Sequence, residues 1–201
     1  MKLYGMGQSR SFRVLWALEE SGLKYEYIAV DFGDKSSDYK NLNFEGKVPT
    51  LVDGDLVLIE SGAIINYIAA HCQVLNLIPA TDIKKRAKYD ELCCFVLTEL
   101  EQGLWTNGKH RFALPEEHRV PDVLNTSTWE FNKAIKTLQN MFDGESYVLG
   151  DNFTMADILL AQTLNWAERF KFTVPENLLA YKNRMYARPA CASALKKLEQ
   201  M

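Results

Sequence analysis

The sequence predicts an α/β domain over residues 1–76 followed by an all-α domain over residues 83–201. Three observations lead there. Alternating, β-rich runs interleaved with helical patterns occur only in the first third of the chain. The stretch "QVLNLIPATD", with Asn76 and Pro79, has no clean period and reads as a linker. From Ile83 onward the apolar spacing is helical throughout. A chain of 201 residues accommodates one large domain or two small ones.

In order, "KLYG" reads as a first short strand, Lys2 to Gly5. Phe12, Leu15, Leu18 and Leu23 then recur at helical spacing, and the helix closes at Ser21-Gly22, a glycine stop. "YEYIAVDF" alternates, so Glu26 to Asp31 is a second strand. Asp38 to Leu42 is a short helix or a turn. Val48 to Val52 and Leu56 to Ile59 flank Asp53-Gly54-Asp55, and Asp-Gly between apolar runs marks a hairpin. Pro49 sits near the head of the first of these strands, where it has no N–H for a sheet ladder. Ile64, Ile65, Ile68 and Ala69 form the apolar face of a helix that begins near Ser61. The order β-α-β-(α)-β-β-α is the thioredoxin-like arrangement.

The second half predicts long helices over "IKKRAKYDELCCFVLTELEQGLW" and from Asp122 to Phe142, then three more in "TMADILLAQTLNWAERF", "NLLAYKNRMYA" and "PACASALKKLE". Pro189 suits the first turn of the last one. Thr154 as N-cap with Asp157 three residues on is a variant capping box, and Phe153 before it is placed to staple onto Ile158. These residues start a buried helix and have no part in chemistry.

Composition narrows the function classes. Apolar content of 47% and charged content of 24% are those of a soluble globular protein. A net charge of −3 argues against general nucleic-acid binding. No apolar run reaches the roughly 18 residues of a membrane span, and "MKLYGMGQSRSF" has no secretory h-region. Cys72, Cys93, Cys94 and Cys191 lack C-x-x-C spacing and read as buried free thiols in a reducing compartment, which predicts a cytoplasmic protein. His71, His110 and His118 do not supply zinc spacing, so no metal is expected.

Five segments in order carry a family resemblance: "SRSFRVLWALEESGLKYEY", "LNFEGKVPTL", "ESGAIINYI", "GDNFTMADI" and "ARPA". With twelve residues from Val48 to Glu60, the chain resembles a cytosolic glutathione S-transferase over nearly its whole length. Phe44 departs from the proline that many members carry in "NPxGKVP". The resemblance implies a cis peptide bond at Val48-Pro49 that leaves the Val48 N–H and C=O facing outward. An extended peptide can pair with them as an added strand, and glutathione, as co-substrate, is such a peptide. Glu60 would meet the ammonium of the γ-glutamyl head. Ser61, at a helix N-terminus, would meet its α-carboxylate. Lys47 would reach the glycyl carboxylate or the cysteinyl region.

The family activates the glutathione thiol with a Tyr, a Ser or a Cys at the start of the first helix. Lowering a thiol pKa by about 2 units takes roughly 2.7 kcal/mol of preferential thiolate stabilisation. The loop "GMGQSRSF" has no Cys; Ser9 and Ser11 are the hydroxyls in place, with Tyr4 on the first strand and a backbone N–H or other group as the alternatives. Ungapped alignment with the zeta-class loop "SSCSWRV" puts that class's second serine on Ser9, the preferred candidate. Ser11 also reads as the cap of the first helix, and Arg10 as an electrostatic aid or a solvated residue.

The resemblance further implies a homodimer and a hydrophobic electrophile pocket between the domains. Its walls would be the Met6-Gly7 loop and the first long helices of the second half, with Trp105, Phe112 and Trp129 as candidates that equally suit core or interface. The implied reaction is conjugation of glutathione to a hydrophobic electrophile. The alternatives are glutathione-dependent peroxidase or isomerase chemistry, or a non-catalytic ligand carrier or protein-interaction module.

Overall fold

Lys2 is exposed while Leu3 and Gly5 are buried, the alternation of a half-buried strand. This strand, β1 (Lys2–Gly5), lies inside the sheet found in a computed structural model that describes residues 1–31, 39–72, 76–79 and 81–200. Among the described residues the sheet has four strands in the order β2-β1-β3-β4. Here β2 is Glu26–Ala29, β3 is Thr50–Asp53 and β4 is Leu56–Leu58. β2 runs parallel to β1, and β3 is antiparallel to both β1 and β4. β1 has the predicted bounds, and the other three strands are each shorter than the sequence predicts. β2 stops at Ala29 because β1 ends at Gly5, its register partner. β3 starts at Thr50 because Pro49 has no N–H to continue the ladder. Part of the predicted helix or turn (residue 38) and of the predicted linker (73–75 and 80) lies outside the described residues.

Helix α1 (Ser11–Ser21) is buried from Ser11 through Leu18, so it forms the centre of its unit and not an amphipathic cover. Gly22, at φ 67°, closes it by donating its N–H to the Leu18 carbonyl at 3.1 Å, a left-handed cap that favours glycine. A one-turn helix α2 (Tyr39–Leu42) precedes β3, and α3 (Ser61–His71) packs on α1 through Ile64, Ile65 and Ile68.

The chain divides into two compact units, residues 1–78 with 186–201, and residues 79–185. The sequence places the boundary at 76–83 and assigns everything after it to the helical domain. The division instead returns the last helix to the first unit. Apolar periodicity says that a helix buries one face, not what it buries it against. The partner is set by charges on the last turns of α1. Glu20 takes Arg188 at 2.6 and 2.9 Å, and Glu19 takes Lys197 at 2.7 Å, with Ser193 donating as well. Arg188 and these partners fix α9 (Pro189–Glu199), which begins with Pro189 in its first turn.

In the second unit, Asp82 caps α4 (Ile83–Phe95) by accepting the N–H groups of Lys84 and Lys85, each at 3.0 Å. The helix continues through a π-turn (Val96–Leu100) into α5 (Glu101–Gly108) and a second π-turn (Lys109–Ala113). Then follow α6 (Val123–Met141), α7 (Met155–Arg169) and α8 (Glu176–Tyr186). Gly103 lets α5 approach α6, since a Cβ there would sit 2.7 Å from the Ser127 carbonyl oxygen.

At the start of α7 the Asp157 carboxylate takes four donors. They are the Thr154 N–H at 2.8 Å, the Thr154 hydroxyl at 3.1 Å, the Val148 N–H at 2.9 Å and the Tyr181 hydroxyl at 2.8 Å.

Burial pushes the Cys93 and Cys191 thiols up to about 12, so both stay protonated. Cys94 departs from the expectation of buried thiols. It is exposed, because its neighbour Cys93 takes the inward position on α4. Among the described residues no helix is long and apolar enough to cross a membrane.

Candidate functional site

Strand directions bring the predicted site residues of the first unit to one end of the sheet. β1 ends at Gly5, and Tyr4 lies opposite Thr50, the first residue of β3. Leu58, the last residue of β4, lies opposite Leu51. The loop that leaves β1, the chain that enters β3 and the chain that leaves β4 therefore share one edge. Those three segments carry Ser9 and Ser11, Lys47 to Pro49, and Glu60 to Ser61.

The Ser9–Ser11 pair starts α1. Ser9 Oγ accepts the Ser11 N–H at 3.2 Å, and the Ser9 carbonyl accepts the Phe12 N–H at 3.0 Å. The N-cap position is held by Arg10, which makes no side-chain capping bond, so Ser11, which the sequence proposes as the cap, is instead the first residue of the helix. Ser11 falls inside the first turn, fully buried, because the loop closes one residue pair earlier through the Ser9 N–H to the Met6 carbonyl at 3.2 Å. The two hydroxyl oxygens are 3.0 Å apart, and Ser11 Oγ also accepts the Met6 N–H at 3.3 Å. Gly5 makes room for this packing: a Cβ there would lie 2.7 Å from the Ser11 Cβ and 2.8 Å from the Tyr27 hydroxyl. Tyr4, the residue before Gly5 on β1, is half-buried with its ring 5.5 Å from that of Tyr39, so it points to the face of the strand opposite the one on which Gly5 meets Ser11.

The Val48–Pro49 peptide is cis. Among the described residues no protein group pairs with the backbone N–H or C=O of Val48. The carbonyl just before it is held firmly. Lys47 C=O accepts from the Tyr39 hydroxyl and from Asn43 Nδ2 at 2.8 Å. Asn43 Nδ2 and the Tyr39 hydroxyl also reach Thr50 Oγ1, at 3.2 and 2.8 Å. Burial raises the Tyr39 phenol, which keeps it a donor. The Lys47 side chain is exposed and paired with Glu45. Sequence reasoning missed Tyr39, Asn43 and Thr50, since three scattered polar residues carry no pattern until the loop folds back on itself.

Glu60 is exposed and holds φ 70°, ψ 106° as the residue before α3, a left-handed backbone that a non-glycine residue adopts at a cost. That backbone turns the chain so that Ser61 starts the helix buried. Arg13, on α1 and fully buried, donates from Nη1 to Ser61 Oγ at 3.4 Å. Arg13 was also missed. Its signal was an arginine inside an apolar run, "SFRVLWAL", where a surface reading is the default.

Of the residues proposed for an apolar substrate, all three lie in the second unit. Trp105 is half-buried on α5, and Phe112 is 57% exposed with its edge toward Phe170 at 5.9 Å. Trp129, on α6, is 63% exposed, with the Lys133 ammonium 5.8 Å from its ring centroid.

A thioredoxin-like unit with a four-stranded mixed sheet, followed by a helical unit, is the fold the sequence predicts. Residues 1–70 match the glutathione S-transferase N-terminal domain, and residues 108–189 match the glutathione S-transferase C-terminal domain. The chain belongs to the glutathione S-transferase family. It is similar to glutathione S-transferase GstA of Escherichia coli O157:H7, at 29% identity over 97% of both chains. Glutathione S-transferase Z1 of Arabidopsis thaliana is 34% identical over 87% of this chain and 80% of that one. The structure of a sphingomonad glutathione S-transferase complexed with glutathione superposes with a TM-score of 0.85 at 25% identity, covering 100% of both chains.

Proposed function

We propose that this protein binds glutathione, stabilises its thiolate and conjugates it to a hydrophobic electrophile. The observation that carries this reading is the meeting of Ser9, Val48 and Glu60-Ser61 at one sheet end. An extended γ-glutamyl peptide laid along that edge pairs its cysteinyl backbone with Val48. Its ammonium meets the Glu60 carboxylate, and its α-carboxylate meets Ser61 and the first N–H groups of α3. Lys47, exposed and bridged to Glu45, is within the same loop to take a further carboxylate. The thiol then lies toward Ser9 and the start of α1, where a hydroxyl donor and the helix dipole favour the anion. Trp105 and Phe112 are the aromatic groups we assign to the electrophile.

Two further proposals go with this one. The protein works in the cytoplasm, and it is a homodimer. The first unit leaves Phe44 94% exposed and Leu56, Val57 and Ile59 partly so, an apolar set that a second copy can cover.

The deciding experiment is calorimetry with glutathione on the parent and on Glu60→Ala, followed by a conjugation assay with an activated chloronitrobenzene. Loss of the ammonium's partner is expected to weaken binding by about 2 kcal/mol or more. Equal affinities would remove the assignment of this sheet end as the glutathione site.

A further inference from the structure

We infer that Arg13 is a positioning residue that commits Ser61 to donating a hydrogen bond, and so makes the site select a peptide head that carries an α-carboxylate. This rests on the glutathione reading above. The inference starts from a count of donors. A serine hydroxyl can donate or accept, so Ser61 alone would serve an ammonium as readily as a carboxylate. A guanidinium has five N–H donors and no acceptor. The contact from Arg13 Nη1 to Ser61 Oγ at 3.4 Å therefore has only one polarity, with Ser61 as acceptor. The proton of Ser61 must then point away from the guanidinium.

Ser61 is the first residue of α3, whose opening N–H groups have no partner within the helix. Its hydroxyl proton is then available as a further donor beside those N–H groups. Behind them, Arg13 holds a guanidinium on a side chain that is 0% exposed. Glu60, exposed on the neighbouring turn, supplies an acceptor for the ammonium. The two ends of the amino-acid head are thus read by groups of opposite sense on adjacent residues. A lysine at position 13 would keep the charge but put a single flexible donor where the planar fork lies.

The test compares two peptides by titration calorimetry: glutathione, and the same peptide with 4-aminobutanoyl in place of γ-glutamyl. The second keeps the ammonium, thiol and glycyl carboxylate and lacks only the α-carboxylate. The parent is expected to prefer glutathione by about 10- to 100-fold, the scale of one charge-assisted hydrogen bond with its charge. Arg13→Met is expected to lower that preference at least fivefold while leaving affinity for the second peptide within about twofold. Arg13→Lys is expected to keep part of the preference. A merely structural role would weaken both peptides together.

If Arg13→Met keeps the parent's ratio, the inference is overturned and the glutathione reading stands. If the parent binds neither peptide, the glutathione reading falls first and takes this inference with it. Should the Arg13 variants not fold, the parent with 15N-labelled arginine decides. The slowly exchanging guanidinium of the buried arginine should shift with glutathione and stay still with the decarboxylated peptide. Identical spectra with both peptides overturn the inference.

Discussion

If Ser9 is the donor to sulfur, as proposed, the direction of one hydrogen bond governs its role. Its Oγ already accepts the Ser11 N–H and lies 3.0 Å from Ser11 Oγ, and one hydrogen bridges the two hydroxyls in either direction. If Ser9 donates to Ser11, its proton is turned from the sulfur. If Ser11 donates to Ser9, the Met6 N–H still has its acceptor in Ser11 Oγ, and a Ser9 proton directed at a bound sulfur is compatible with both bonds. A bound thiolate favours the second arrangement, in which three aligned donors polarise one another. Ser9→Ala is therefore expected to raise the thiol pKa in the complex by about 1–2 units with glutathione affinity nearly intact. Thiolate absorbance against pH measures it. Ser11→Ala should move that titration less and lower the melting temperature more, because it strips a buried acceptor from the Met6 N–H. If Ser11→Ala shifts the titration and Ser9→Ala does not, Ser11 is the donor to sulfur. The serine types and their place before the first helix were legible in "GMGQSRSF". That the N-cap falls on Arg10, between them, was not, since that depends on where the loop closes on Met6.

Among the elements, α7 shows the most complete agreement between sequence and structure. "TMAD" ahead of an apolar run names a capping box, and the Thr154 N–H does bond to the Asp157 carboxylate. The other two partners come from distant segments, Val148 and Tyr181, and no local pattern announces them. Burial raises the Asp157 carboxyl, with all four donors pulling the other way. Asp157→Ala leaves buried donors without an acceptor and should cost about 3 kcal/mol or more. Chemical denaturation measures the loss. A variant of unchanged stability with its conjugation activity gone would give Asp157 a chemical role instead. The long helix over Ile83–Gly108 shows the opposite limit. Its helical character was plain, but nothing in the period foretold the π-turn over Val96–Leu100. The extra residue there is a backbone adjustment that leaves the apolar spacing almost unchanged.

At the scale of the molecule, the homodimer proposal turns on one number. Light scattering at micromolar concentration should give twice the 23.0 kDa chain mass, and a value near 23.0 kDa would refute it.

The α1–α9 contact yields the last prediction, because its charges make the first unit sensitive to acid. Glu19 accepts from Lys197 at 2.7 Å, from Tyr25 at 2.5 Å and from Ser193. Burial alone would raise its carboxyl. The bonds from Lys197, Ser193 and Tyr25 outweigh burial, and the net shift is downward from 4.5. A carboxyl lowered in the folded state stabilises it above the unfolded value and loses that contribution as pH falls through the folded one. The clamp should therefore hold at neutral pH and release below about 4.5. Glu19→Gln is expected to cost about 1–2 kcal/mol at pH 7, screening at a partly exposed group keeping it at the low end. The gap between parent and variant should close as pH falls from about 4.5 toward 3. Melting curves across that range measure it, and hydrogen exchange on the α1 amides locates it in the first unit. A gap that stays constant down to pH 3 would show that Glu19 contributes by shape alone, and that α9 is held to α1 by Cys191, Ala194 and the Arg188–Glu20 pair.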